Sequence, residues 1–340
     1  MSKPVILTGL RANNELHIGN YFGALLPMVD MARSKTKDYQ INLFVPDLHS
    51  ITTEIDYPSL QKQIMTNLKT FVAAGLPLAD PDVQLYRQSY IPAHSELMWI
   101  LSCFTGFGEM SRMTQFKDKK DGTNEVSAGL FNYPVMMAVD ILLYGADYVP
   151  VGDDQTQHLE FTRDIAQRIN NRFGDIFVVP KPVKEQHKFF AKDQGLRIKD
   201  LVRPDKKMSK SAESDKGVIF LLDDPEAAGK KIMSATTDSI NKVRFDPDNQ
   251  PGVSNLIEIY GLIKGKTVSE AEAEFAGQTK YGQFKQTVAD AVAEFLRSFQ
   301  SQLADIKEED VQTKLIESEK LMSVRANNTL LKVQKAVGLR

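Results

Sequence analysis

A single cysteine, Cys103, stands in 340 residues. No disulfide can form within such a chain, and no Cys-and-His spacing of the zinc-finger kind is present. An excess of one charge is also missing: 42 Lys and Arg face 44 Asp and Glu, a net of −2, so the chain as a whole advertises neither a nucleic-acid nor a membrane partner. Long hydrophobic runs are absent too. The longest apolar helical pattern, around Val135 to Leu143, is interrupted by Asp140 and is too short to span a bilayer. Met1-Ser2-Lys3-Pro4 leads into only a short apolar run, which argues against a signal peptide and makes the cytoplasm the expected location. There is no internal repeat and no low-complexity segment. What remains is ordinary for a globular protein, 42% hydrophobic and 25% charged, and long enough for two domains with a sizeable core.

One local departure breaks the balanced charge. Residues 181 to 210 carry ten Lys and Arg against four acidic residues, a run that fits either a solvated face or a contact with an anionic partner.

Apolar runs of strand length alternate with helical patterns through the first two thirds of the chain. Val5–Gly9, Ile41–Val45 and Val83–Tyr86 read as buried strands. Ser59–Ala74 reads as a helix with Leu60, Ile64, Leu68, Phe71 and Val72 on one stripe, stopped by Gly75 and Pro77. Pro92 opens another helix, carrying Leu97, Trp99, Ile100 and Leu101, and Asp154–Phe173 is a further one. Val218–Leu222 is a late strand candidate. Alternation of this kind predicts an α/β fold: a parallel sheet with right-handed crossovers, and ligands at the carboxyl ends of its strands. Past about Leu222 the strand signals fade. Val288, Val292, Phe295, Leu296, Phe299 and Leu303 form a long amphipathic stripe, so the last part is expected to be an all-helical domain.

The first strand turns almost at once into a helix that opens at His17-Ile18-Gly19-Asn20. A helix start after a strand offers unpaired N–H groups and the positive end of a dipole, which suit a phosphate. His17 and Asn20 share the first turn, and Gly19 between them permits close approach of a flat ligand. The tetrad resembles the His-Ile-Gly-His signature of class I aminoacyl-tRNA synthetases, with Asn20 in the last place. Lys207-Met208-Ser209-Lys210-Ser211 is identical to the second signature of that class. Its ammonium groups are mobile charges suited to a leaving pyrophosphate.

Tyr133, Met137, Asp140 and Tyr144 fall on one face of an otherwise apolar helix. An unpaired carboxylate there costs several kcal/mol, so Asp140 needs a donor, either a structural one or a substrate's. The stretches Gly108–Lys117, Ala128–Leu130, Met137–Tyr144, Val149–Leu159 and Pro251–Leu256 together are similar to those of bacterial tryptophanyl-tRNA synthetases, collinearly over nearly the whole chain.

That resemblance implies a Rossmann-like catalytic domain over 1–222, with a connecting insertion and dimer contact about 86–135, and a helical, anticodon-binding domain over 223–340. It implies activation of L-tryptophan by ATP with Mg²⁺, then transfer to tRNA(Trp), by a homodimer. Position by position, Asp140 would accept the indole N–H. Met137, Val149 and Val151 would pack on the ring, with Leu7 flanking it where an aromatic is common. His49, Tyr133 and Gln155 would hold the substrate's polar end and the pocket wall. His17, Gly19 and Asn20 would meet ATP, with Arg11 standing where Gln is usual and Ala12-Asn13-Asn14 replacing the common Pro-Ser-Gly turn. Gly152, Asp153 and Asp154 would shape the nucleotide side. Lys117, Lys207, Met208, Ser209 and Lys210 would lie along the phosphates. Trp99 and Cys103 read as core or interface residues rather than chemistry. A tyrosyl-tRNA synthetase on the same frame, an RNA-binding paralogue without catalysis and a small nucleotidyltransferase are the rivals. Met136 and Met137, the intact His17, Lys207 and Lys210, and the long helical part argue against them in turn.

Overall fold

The computed structural model describes residues 3–10, 15–113, 127–152, 155–190, 198–209 and 215–340. Three parallel strands, β1 (Val5–Gly9), β2 (Gln40–Val45) and β3 (Val83–Arg87), lie in the order β1-β2-β3. Between them run α1 (Ile18–Asn20), a π-helical turn (Tyr21–Leu25), α2 (Leu26–Lys35), α3 (Asp47–Ser50) and α4 (Leu60–Ala73). After β3 come α5 (Ala93–Ser102), α6 (Phe107–Met110), α7 (Ala128–Leu142), α8 (Thr156–Phe173) and α9 (Val183–Phe189). Between α7 and α8 the chain returns to the free side of β1, where Tyr148 bridges Ile6 in parallel. Its flanks are the bonds from Leu7 N–H to Tyr148 O and from Tyr148 N–H to Val5 O, at 2.9 and 3.1 Å. The chain thus leaves β1 in one direction toward β2 and comes back on the other side, so the crevice at the end of β1 is the switch point where open α/β sheets bind ligands.

Alternation along the strands builds both faces. Ile6, Leu43 and Leu85 join one buried cluster with α2 and α4, and Leu7, Phe44 and Tyr86 join another with α5, α7 and α8. A parallel sheet covered on both sides must read this way.

The last part is helical, as expected: α10 (Pro225–Met233), α11 (Pro251–Lys264), α12 (Val268–Glu274), α13 (Tyr281–Ala304) and α14 (Glu308–Ala336). In α13, Val288, Val292, Leu296 and Phe299 are buried in the first cluster, beside residues of the sheet. The 29-residue α14 starts on Glu308, Glu309 and Asp310 and has Lys335 in its final turn, charges that complement the helix dipole. It covers the edge strand β3. Ser318 Oγ accepts from Leu85 N–H at 3.1 Å, and Glu319 accepts from the Arg87 backbone N–H at 3.2 Å and from its guanidinium at 2.6 and 2.9 Å. An otherwise open edge is thereby satisfied.

One expectation is corrected. Val218–Leu222 is not a strand of the sheet. Only Phe220 bridges, antiparallel to His17, although Val218 to Leu221 are buried. The run is apolar because it packs against the core, and its backbone partners are Leu16 and Ile18. Of the two places expected for Trp99, core or interface, the core is excluded, since the residue is 73% exposed. Helix α8 begins at Thr156, the earlier Asp154 lying outside the described residues.

Candidate active site

His17 is the N-cap of α1, and its geometry fixes its chemistry. Its Nδ1 accepts the Asn20 N–H at 3.3 Å, while Asn20 Oδ1 accepts the His17 N–H at 3.2 Å. This is a reciprocal capping box built from His and Asn. Burial, with the nearby positive charge of Lys207, lowers the His17 pKa from 6.5 to about 4. The ring is neutral at pH 7. With Nδ1 unprotonated, its one proton sits on Nε2. Asn20, its oxygen engaged, offers its amide N–H₂. Both remaining groups are donors. Gly19 completes the turn, and a Cβ there would stand 3.0 Å from the His17 ring. The π-helical turn that follows, Tyr21–Leu25, is a widening of the kind found at functional sites.

The segment that follows the second signature lies against the first. Ile18 N–H donates to Ile219 O at 3.0 Å and Leu221 N–H to Leu16 O at 2.9 Å. The segment after the lysine loop is therefore stitched to the turn that carries His17. Before the loop, Lys199 bridges Lys207, and Met208, which is buried, donates its N–H to Ile198 O at 3.0 Å. Lys207 is exposed and Ser209 half-buried. Asn255 of α11 braces this ladder, accepting from Lys199 N–H at 2.8 Å and donating to Lys199 O at 3.0 Å. Gly217 is required beside it: a Cβ would fall 2.2 Å from the Asp200 carboxylate.

The polar cluster behind the sheet ends is organised on Asp140 of α7, which is 1% exposed. Gln88 Nε2 donates to Asp140 Oδ1 at 2.6 Å, and His49 Nε2 lies 2.9 Å from Oδ2. Of the two readings left open by the sequence, the structure supplies the protein-internal donors. A carboxylate has about four acceptor positions, so two such bonds leave capacity for another donor. His94, wholly buried, contacts Ile91 O through Nδ1 at 2.9 Å and the Tyr144 hydroxyl through Nε2 at 3.3 Å. Burial lowers the His94 pKa and raises those of Tyr86 and Tyr144. Tyr133 is held by His158, hydroxyl to Nε2 at 2.9 Å, and its ring meets His49 edge-on at 6.2 Å between centroids. Leu7 and Val149 are buried in the same layer, and Met137 and Val151 pack against it from half-buried positions. Gln155 is half-buried at the start of α8, and Gly152 is exposed.

Arg11, Lys117, Asp153, Asp154 and Lys210 lie outside the described residues. Gln88, His94 and His158 are parts of the polar cluster that sequence reasoning missed. Gln88 follows β3 by one residue, and a position at the carboxyl end of a parallel strand is the signal that could have found it.

The comparisons with known proteins agree among themselves. The family model for class I tRNA synthetases (W and Y) matches residues 2–297. A tryptophan–tRNA ligase of Caldanaerobacter subterraneus subsp. tengcongensis is 44% identical over 335 residues, 98% of each chain. Among solved structures, the tryptophanyl-tRNA synthetase of Mycoplasma pneumoniae superposes with a TM-score of 0.82 at 35% identity, covering 100% of this chain and 99% of that one. The enzyme of Campylobacter jejuni complexed with ADP and tryptophan does so with 0.81 at 29% identity, covering 98% and 99%.

Proposed function

The chain belongs to the class I tRNA synthetases for tryptophan and tyrosine, and from that premise we propose that it activates L-tryptophan with ATP and transfers the tryptophanyl group to tRNA(Trp). The observation that carries the choice of amino acid is Asp140, a buried carboxylate with acceptor capacity to spare, beside Leu7, Met137 and Val149 in an apolar layer. An indole N–H adds a further donor to those of Gln88 and His49; a phenylalanine ring offers none. Sites built on a substrate N–H or O–H reject the analogue lacking it by about 10⁴-fold or more, so no editing step is needed. A tyrosine-specific pocket would want a polar group where Met136 and Met137 stand.

In the first step a tryptophan carboxylate oxygen forms a bond to the α-phosphorus of ATP. The bond from that phosphorus to the bridging oxygen breaks, and pyrophosphate leaves with the electron pair. In the second, a hydroxyl at the tRNA 3′ end attacks the acyl carbon and AMP leaves. No side-chain nucleophile is needed, so rate comes from alignment and from donors placed where negative charge develops. His17 Nε2–H and the Asn20 amide are donors of this kind, and Lys207, with Lys117 and Lys210, adds positive charge on the pyrophosphate side. His49, Tyr133 and Gln155 provide the pocket wall and hold the amino acid's polar end, while Arg11, Gly19, Gly152, Asp153, Asp154, Met208 and Ser209 shape the nucleotide side. Among the described residues no group of three or more His, Cys, Asp or Glu is placed to hold a metal. A Mg²⁺ ion would come with ATP, taking its ligands from the phosphates. We assign residues 1–222 to ATP and tryptophan, about 86–135 to the contact of a homodimer, and 223–340 to the tRNA anticodon. Among the described residues no helix is long and apolar enough to cross a membrane.

The test is Asp140→Ala. Tryptophan-dependent ATP–pyrophosphate exchange is expected to fall at least about a hundredfold in kcat/KM while ATP affinity changes little. An unchanged exchange rate defeats the assignment.

A further inference from the structure

Gln88 sits one residue past β3 and is fully buried. Its amide is engaged at both ends. Nε2 donates to Asp140 Oδ1 at 2.6 Å, and Oε1 accepts the Leu48 N–H at 3.2 Å. The Leu48 amide can only donate and an ionised carboxylate can only accept, so the orientation of the Gln88 amide is fixed chemically. Its backbone is held on both flanks. Arg87 is tied to Glu319 of α14, and Ser89 is tied to Asp47, its N–H to Oδ1 at 2.8 Å and its hydroxyl to Oδ2. Leu48 precedes His49, whose ring takes the other oxygen of Asp140 at 2.9 Å. Gln88 therefore links the turn after β3, helix α3 and the carboxylate of α7. His94 cannot replace it, since its Nε2 lies 3.7 Å from Asp140 Oδ1.

We infer that Gln88 is a specificity-determining positioning residue: by gripping Oδ1 it sets the plane of the Asp140 carboxylate so that Oδ2, beside the half-buried His49, presents a lone pair to the substrate's indole N–H. This rests on the tryptophan reading above. Without the grip the carboxylate is free to turn about its last torsion. The lost contact exists in the ground state as well as in the transition state, so its removal raises KM and spares kcat.

The experiment compares the wild-type enzyme with Gln88→Met, a near-isosteric change that removes the donor, in tryptophan-dependent exchange. It also measures the inhibition constant of 3-benzothienylalanine, in which sulfur replaces the indole N–H. The KM for tryptophan is expected to rise about ten- to a hundredfold, as for loss of a hydrogen bond to a charged group. The kcat, the KM for ATP and the analogue's inhibition constant stay within about threefold. Gln88→Asn, which keeps an amide but withdraws it by one methylene, gives the same pattern if the methionine variant does not fold. A parallel loss of affinity for tryptophan and for the analogue, or no loss for either, overturns the proposal while leaving the Asp140 reading intact. Wild-type enzyme that binds tryptophan and the analogue equally overturns that reading, and the proposal with it.

Discussion

His17 shows how much chemistry a single cap can determine. Its neutral state and its tautomer follow from burial and from one accepted N–H, so it needs no proton from solvent to act as a donor. Because its folded pKa, about 4, lies below its ordinary 6.5, the unfolded chain takes up a proton between those values and the folded one does not. Stability therefore falls as pH drops from 6.5 toward 4 and is unaffected by this group above 6.5, by about 3 kcal/mol in all. His94, lowered by burial, acts in the same sense. Urea titrations from pH 7 to pH 4 should show a shallower acid loss in His17→Ala than in the wild-type protein, and the same variant should lose about 10²–10³ in kcat for exchange. Asp140 stood out by residue type and spacing, and the two signatures by their resemblance to those of a known family. Gln88, His94 and His158 were not. A buried amide or imidazole has no periodicity of its own, and its role comes from a partner 52, 50 or 25 positions away in sequence.

At the scale of elements, apolar runs of strand length were enough to find the three strands, which are buried on both faces, and the 3.6 period found the amphipathic stripes of α4 and α13, which bury one face. Val218–Leu222 has the composition of a strand but is used as a strap across the His17 turn. An apolar run reports burial, and only the topology decides what its backbone pairs with. The closing of the β3 edge by α14 was equally invisible, since it depends on Ser318 and Glu319 meeting Leu85 and Arg87 across more than two hundred residues. Glu319→Ala leaves the mostly buried Arg87 guanidinium without its carboxylate. It is expected to cost about 3 kcal/mol, seen as a lower urea midpoint at unchanged slope. Gly252 in the first turn of α11 is a second sensitive point, because a Cβ there would stand 2.0 Å from the Thr236 carbonyl oxygen. Gly252→Ala should destabilise by about 1–3 kcal/mol in the same titration.

For the whole molecule, near-neutral net charge hides an uneven distribution, and the run from 181 to 210 is where positive charge collects. If that run contacts tRNA phosphates, replacing Lys184 and Lys188 by Ala should weaken tRNA binding and reduce the slope of log K against log salt by up to about two, leaving exchange unaffected. The α/β plan followed from alternation of patterns, and the family from ordered motifs. The packing of the helical part into the same core as the sheet required the coordinates. The account stands or falls on which side chain the apolar layer around Asp140 accepts. Its most direct measurement is ATP–pyrophosphate exchange by the purified wild-type chain with each of the twenty amino acids in turn. Exchange with tryptophan alone, phenylalanine remaining lower by about 10⁴-fold, is the predicted result. Exchange driven by tyrosine, or by none of the twenty, would contradict it.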